Sequence, residues 1–306
     1  MNNTKTTRAF LIFVQALLLS IMLGFTTKAE AQVGVRSYKQ VVDFLNAVAT
    51  QYPNSAKVFD LGANDSGQMI KGLMIGTGSN TNINNLVVGT HHGNEYGSTG
   101  VALGFALATA ANPIQGQNIF VIPVLNIPGF DKNNRYENNR DPNRDYPGPC
   151  ATQGPHKLKS TALLAMFVDK LKITTSATLH TYYPGVLYPW GVSTHDLSTP
   201  YDDIFIQLAK YATVESKYKV GNSTAELYPA DGTFEDYAFW AHGIWSLLFE
   251  MGNTHSPSDQ AVQTMINVNV PGLRRMFEMA PKARAASHNF TGKCDVRLRQ
   301  FDLGME

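Results

Sequence analysis

Five residues have the types and positions to do hydrolytic chemistry together. The stretch "THHGNEYGSTG" (90–100) places His91, His92 and Glu95 within five positions, just after the apolar run "NNLVV". His180 ends a second run, "SATLH", and Glu250 ends a third, "WSLLFE". An ionisable group at the end of a buried strand costs free energy unless it is solvated, paired or bound to a metal. One such residue is ordinary, whereas several on different strands suggest a shared site. Two imidazoles and a carboxylate around zinc, with water in the fourth position, are the hydrolytic arrangement open to them. A His-x-x-Glu quartet alone is a weak signal. His91, four residues before Glu95, competes with His92 for the ligand role.

Such residues need a scaffold that gathers strand ends. In "SYKQVVDFLNAVATQYP" (37–53) the apolar residues recur at helical spacing and stop at a proline, which predicts a helix. "AKVFDLG" and "MIKGLMIG", separated by the turn-rich "ANDSGQ", predict a hairpin. "NNLVVGTHHG" and "QNIFVIPVLN" predict buried strands around a helix of small residues, "STGVALGFALATAA". Helices are expected near 160–171, 201–213, 233–242 and 258–279, and strands at "SATLH" and "IWSLLFEMG". This alternation predicts an α/β fold: a single domain with a mixed, mostly parallel twisted sheet flanked by helices on both faces. Ligands of such sheets sit outside the carboxyl ends of the parallel strands, where all the candidate residues fall. The stretch 126–159, rich in Asn, Arg, Asp and Pro, is expected to be irregular, and a loop of that length in a compact domain is usually functional.

A 306-residue chain with 43% hydrophobic residues can bury a sizeable core. Its 25 Lys and Arg against 24 Asp and Glu give a net charge of +1, which argues against nucleic acid as a partner. No dense basic run argues for an anionic membrane surface. Residues 1–31 read as a secretory signal: Lys5 and Arg8, then a 17-residue apolar run, then Ala29 and Ala31 in an A-x-A pattern before Gln32. The expected division is signal 1–31, catalytic domain 32–285 and C-terminal tail 286–306, with no membrane association after signal removal. The expected location is secreted or periplasmic. Export would permit one bridge between the two cysteines, Cys150 and Cys294, an outcome the sequence leaves open. No C-x-x-C supports thiolate metal binding or thioredoxin-like chemistry.

With these segments in view, the chain resembles the zinc metallocarboxypeptidases of the M14 family from about Ser37 to Pro281. "HGNE" then implies His92 and Glu95 as zinc ligands, and "LHTYYPGVLYPWG" implies His180 as the third, for one zinc per chain. "RDPNRDYPGP" implies Asn143 and Arg144 as a clamp for a terminal carboxylate, with Asp141 supporting a zinc histidine. "LYPADGTFEDYAFWAHGIWSLLFEMG" implies Tyr228 as a substrate-binding tyrosine and Glu250, 22 residues later, as general base. The same segment implies Glu235 as the residue that reads the substrate side chain, or Phe234 if the register slips by one. The oxyanion-stabilising arginine is Arg135 or Arg140; Arg135 is preferred because Arg140 abuts Asp141. One departure is the short interval from Glu95 to His180, which implies trimmed surface loops.

The resemblance implies an exported zinc-dependent enzyme that removes the C-terminal residue of peptides with a zinc-activated water. Glu235 implies a preference for basic or amine-bearing termini. The alternative is a peptidoglycan-peptide carboxypeptidase or endopeptidase acting at diaminopimelate, and a third reading is a non-catalytic peptide-binding module. The sequence does not set the oligomeric state.

Overall fold

A computed structural model describes residues 33–150, 155–195, 197–286 and 289–294. The expected signal segment 1–31 and most of the tail 286–306 lie outside these residues.

Helix α1 (Tyr38–Gln51) opens with a capping box in which Ser37 and Gln40 satisfy each other's backbone N–H groups. Its buried stripe, Val41, Phe44, Leu45 and Val48, keeps helical spacing. The expected hairpin follows as antiparallel strands β1 (Ala56–Ala63) and β2 (Met69–Ile75), with a register shift between Asp60 and Gly62. Then come β3 (Ile83–Gly89), α2 (Tyr96–Ala111), β4 (Gln117–Ile122), α3 (Ile127–Lys132) and a 3-10 turn at Pro142–Arg144. The second half contains α4 (Lys159–Lys170), β5 (Thr175–His180), β6 (Gly185–Tyr188), α5 (Asp202–Ala212) and β7 (Lys219–Asn222). The last elements are α6 (Ser223–Glu226), α7 (Phe234–His242), β8 (Trp245–Glu250) and α8 (Asp259–Met279).

Four of these elements are absent from the sequence reading. Strands β6 and β7 and helix α6 have four residues each, too few to show a period. Helix α3 lies inside the stretch expected to be irregular. It is started by Asn126, whose side chain accepts from the Gly129 N–H, and by a proline in its first turn.

The eight strands form one sheet in the order β1-β2-β4-β3-β5-β8-β6-β7. The central run β4-β3-β5-β8 is parallel, while the hairpin edge and the β8–β6 pair are antiparallel. Every residue of β5 is buried, as expected for a parallel strand covered on both faces. Helices α1, α2, α5 and α8 pack on the sheet and on one another. Helix α4 meets the sheet through Phe167, whose ring stacks on Phe59 and meets Phe120 edge-on.

The chain runs from β3 through α2 to β4 on one side, then returns through α3 and α4 to β5 on the other side of β3. That reversal makes a switch point between β3 and β5, the place where open α/β sheets bind ligands. Gly93 lets the loop after β3 close over α3. A Cβ there would lie 2.0 Å from the Gly129 carbonyl carbon and 2.3 Å from the Phe130 nitrogen, both backbone atoms.

Cys150 and Cys294 are joined, their Cα atoms 5.3 Å apart. The bridge draws the tail segment 289–294 against the domain, where Phe290 meets the Trp190 ring at 5.2 Å. Ser193 also donates to the Lys293 carbonyl at 2.6 Å.

Candidate metal centre and substrate cleft

Glu95 occupies the N-cap position of α2, yet its carboxylate makes no capping bond. It turns instead toward the end of β5. Its Oε1 lies 2.7 Å from His92 Nδ1, and its Oε2 lies 3.0 Å from His180 Nδ1 and accepts from the Thr181 N–H at 3.1 Å. The Nδ1 atoms of His92 and His180 are 3.2 Å apart. All three side chains are buried. Burial by itself would raise the Glu95 pKa, but the charges and hydrogen bonds of His92 and His180 hold it well below the carboxylate range.

His92, and not His91, faces this group. His91 is fully buried behind it, bonded through Nε2 to the Tyr146 hydroxyl at 3.0 Å and close to Thr178 Oγ1 through Nδ1 at 3.3 Å. Its ring stacks on that of His180, and burial pushes its pKa well down, which keeps it neutral.

Asp141 ties the centre to the loop that follows α3. Its Oδ1 accepts from His92 Nε2 at 2.9 Å and from the Asn143 N–H at 2.9 Å. Its Oδ2 accepts from Arg135 Nε at 3.0 Å and Nη2 at 2.7 Å. With Nε2–H given to Asp141, Nδ1 is the His92 atom that faces the Glu95 carboxylate and the His180 imidazole, and in the neutral ring it would offer a lone pair to a cation. One donor atom from each of His92, Glu95 and His180 lies within 4.8 Å of the others. Two imidazoles and one carboxylate suit zinc, and Asp141 supplies the outer carboxylate that commonly orients a zinc histidine.

Of the two candidate arginines, Arg135 lies at the centre, with Nη1 3.9 Å from Glu95 Oε1. Arg140 is exposed. Two of the five Arg135 N–H groups go to Asp141.

The cleft beside the metal group is lined by His92, Asn143, Arg144, Tyr228, Glu235 and Glu250 among others. Arg144 donates to the Asn143 carbonyl at 2.7 Å and to the Tyr228 hydroxyl at 3.3 Å, with its guanidinium 5.8 Å from the Tyr228 ring centroid. Asn143 Oδ1 accepts from the Phe234 N–H at 2.9 Å, which ties this loop to the start of α7. Gly232 makes the same approach possible from the other side: its φ is +79° and a Cβ would meet the Arg144 carbonyl oxygen at 2.6 Å.

Glu235 is buried and lines the cleft, and among the described residues its Oε2 has no hydrogen-bond partner. Its neighbour Asp236 turns away and accepts from the Gly191 N–H through both oxygens, at 3.1 and 2.9 Å. Phe234, fully buried, packs on Tyr146 and His91 and does not line the cleft. Glu250, at the end of β8, has its pKa pushed well up by burial and then by the charge of Glu95.

Reading the sequence passes over Thr181 and His255 at this centre and Glu137 in the turn between Arg135 and Asp141. Thr181 acts through its backbone, which no motif reveals. Glu137 and His255 are isolated polar residues in turn-rich stretches, with no periodic or spacing signal to mark them.

The sheet with its switch point and the His–Glu–His group there, beside a cleft lined by Arg144, have the arrangement of a metal-dependent hydrolase. The profile of the zinc carboxypeptidase family (peptidase M14) matches residues 41–271, and the chain belongs to that family. It is a zinc peptidase acting at peptide C-termini, with His92, Glu95 and His180 as the group that can hold the ion. Carboxypeptidase B of Astacus astacus is 24% identical over 276 residues, covering 74% of this chain and 91% of the relative. Two solved structures are similar in fold. Bovine thrombin-activatable fibrinolysis inhibitor, in complex with tick carboxypeptidase inhibitor, aligns with a TM-score of 0.71 at 15% identity, covering 80% of this chain and 96% of that one. Carboxypeptidase A of Helicoverpa armigera aligns with a TM-score of 0.70 at 17% identity, covering 80% and 73%.

Proposed function

We propose that the protein is exported and removes basic or amine-bearing residues from the C-termini of peptides. The observation that carries this reading is the unpartnered Oε2 of buried Glu235 in the cleft. An unpaired buried carboxylate is costly, and a cationic side chain relieves that cost where an apolar one adds to it. The signal-like residues 1–31 support export, and the Cys150–Cys294 bridge suits an oxidising compartment.

In this reading each end of the cleft has its own task. Arg144 presents a planar fork that grips a terminal carboxylate with two parallel bonds, a geometry lysine cannot copy. Tyr228 and Asn143 hold that guanidinium in place from two sides. His92, Glu95 and His180 would hold the zinc, which would supply Lewis acidity to polarise a carbonyl and lower the pKa of water toward roughly 7. Glu250 takes the proton of the attacking water and returns it to the leaving amine. Arg135 faces the negative charge that develops on the carbonyl oxygen.

The test uses matched L-peptides ending in Lys, Glu and Phe, with a muropeptide containing diaminopimelate as a fourth substrate. Faster release of Lys than of Glu or Phe, lost in Glu235→Gln, supports the reading. Equal rates remove Glu235 from specificity. Cleavage of the muropeptide alone keeps the chemistry and assigns the enzyme to cell-wall peptides, whose diaminopimelate amine would meet the same carboxylate.

A further inference from the structure

His255 lies five residues beyond Glu250, in the loop between β8 and α8. It is tied twice to Thr181. Its Nδ1 donates to the Thr181 carbonyl at 3.0 Å, and the Thr181 hydroxyl donates back to the His255 carbonyl at 3.4 Å. Its ring stands edge-on to Tyr182, centroids 4.8 Å apart. The side chain is 35% exposed and its Nδ1 is 3.9 Å from Glu95 Oε1.

Thr181 is the residue whose N–H grips Glu95 Oε2 at 3.1 Å. The peptide unit that carries this N–H is held at its other end as well, where the His180 carbonyl accepts from the Met251 N–H at 2.9 Å. Two consecutive peptide units after β5 are therefore pinned by the loop after β8, one by Met251 and the next by His255. His92 and His180, the other close partners of Glu95, are co-ligands whose nitrogens turn to an ion when one is present. The Thr181 N–H is a neutral donor that keeps its bond to the carboxylate whether or not an ion is there. It decides which way Glu95 points.

We infer that His255 is a positioning residue for the metal centre: by holding the Thr181 backbone it aims Glu95 and raises the affinity of the three ligands for zinc. It is not a ligand itself, since its Nδ1 is occupied by the Thr181 carbonyl and it stands outside the convergent group. The effect needs an N–H at the Nδ1 place and not an aromatic ring. That separates it from simple packing against Tyr182.

The inference rests on the zinc site alone and not on which peptide is cleaved, so it is tested by zinc affinity. Zinc is titrated into the full chain against a chromophoric chelator for the wild type, His255→Asn and His255→Phe, with the melting temperature of each metal-free protein as a control. Asparagine places an amide N–H where Nδ1 stood, whereas phenylalanine keeps the ring and loses the donor. Outer hydrogen bonds of this kind are worth about tenfold to hundredfold in metal affinity. The His255→Phe variant is therefore expected to weaken zinc binding by about that factor, and the His255→Asn variant to recover most of it, at similar metal-free melting temperatures. Unchanged affinity in His255→Phe overturns the inference. So does a variant order in which the ring rescues and the amide does not.

Discussion

His180 and Glu250 are register partners: each is the last residue of its strand, and the parallel pairing of β5 with β8 sets them side by side at the carboxyl ends of the strands. The two side chains are thus fixed relative to each other by backbone hydrogen bonds and not by loop conformation. Sites on strands are held more precisely than sites on loops. Glu250→Gln keeps the shape and removes the proton acceptor. Its kcat is expected to fall by about 100-fold to 10,000-fold, with zinc content by atomic absorption unchanged. An unchanged kcat would move the general base elsewhere.

Asp141 accepts from His92, Arg135 and Asn143, so one carboxylate couples His92 to Arg135 and to the loop that carries Asn143 and Arg144. Asp141→Asn leaves His92 free to turn and releases Arg135. Zinc affinity, measured by chelator competition, is expected to drop about tenfold to hundredfold. Activity at saturating zinc is expected to stay low because Arg135 has lost its anchor. Full recovery of activity on adding zinc would show that Asp141 serves the metal alone.

The loop between Arg135 and Asp141 is a two-residue hairpin turn. Glu137 and Arg140 exchange backbone bonds of 2.9 Å in both directions, and Asn138 and Asn139 between them have φ of +49° and +61°. Glu137 plugs the turn into the protein, buried and accepting from Ser160 at the start of α4 at 2.5 Å. Burial pushes its pKa from 4.5 up to about 7, the Ser160 bond opposing and the charges of Asp65 and Asp145 adding. The folded state therefore binds more protons than the unfolded chain between these values, and stability falls as pH rises from 4.5 to 7. The loss is on the order of 3 kcal/mol at most. Denaturant unfolding at pH 5 and pH 8 is expected to show this loss in the wild type and a smaller one in Glu137→Gln. Equal pH slopes in the two proteins would mean that Glu137 ionises freely in the fold.

The Cys150–Cys294 bridge spans 144 positions and fastens the tail beside the Trp190–Ser193 segment, whose Gly191 N–H holds Asp236. Removing a native disulfide typically costs about 2–5 kcal/mol. The Cys150→Ser, Cys294→Ser double variant is expected to lose stability in that range. KM for a Lys-terminated peptide is expected to rise more than kcat falls, since Gly191 of that segment lines the cleft together with Glu235. A loss of stability with unchanged KM would confine the bridge to a structural task.

Much of the scaffold was legible in the amino-acid order because it rests on local patterns. Helical spacing in 37–53, the turn-rich break before "MIKGLMIG" and the continuous apolar runs of β3, β4, β5 and β8 each encode their element without reference to the rest of the chain. Ligand types at strand ends followed from the same patterns. The choice of His92 over His91 came from the family resemblance and not from these patterns: both follow β3, and packing sends one ring to the strand ends and buries the other against Tyr146. Arg135 was preferred because Arg140 abuts Asp141 in sequence, yet it is Arg135 that Asp141 draws in, and Arg140 is left exposed. The four-residue elements, the paired cysteines, the unpartnered oxygen of Glu235 and the hold of His255 on Thr181 all join residues far apart in sequence or too few to show a period. Composition and spacing thus determined the elements and the chemical types at their ends. Tertiary structure decided which atoms meet, because burial, hydrogen-bond satisfaction and charge pairing act through space and not along the chain.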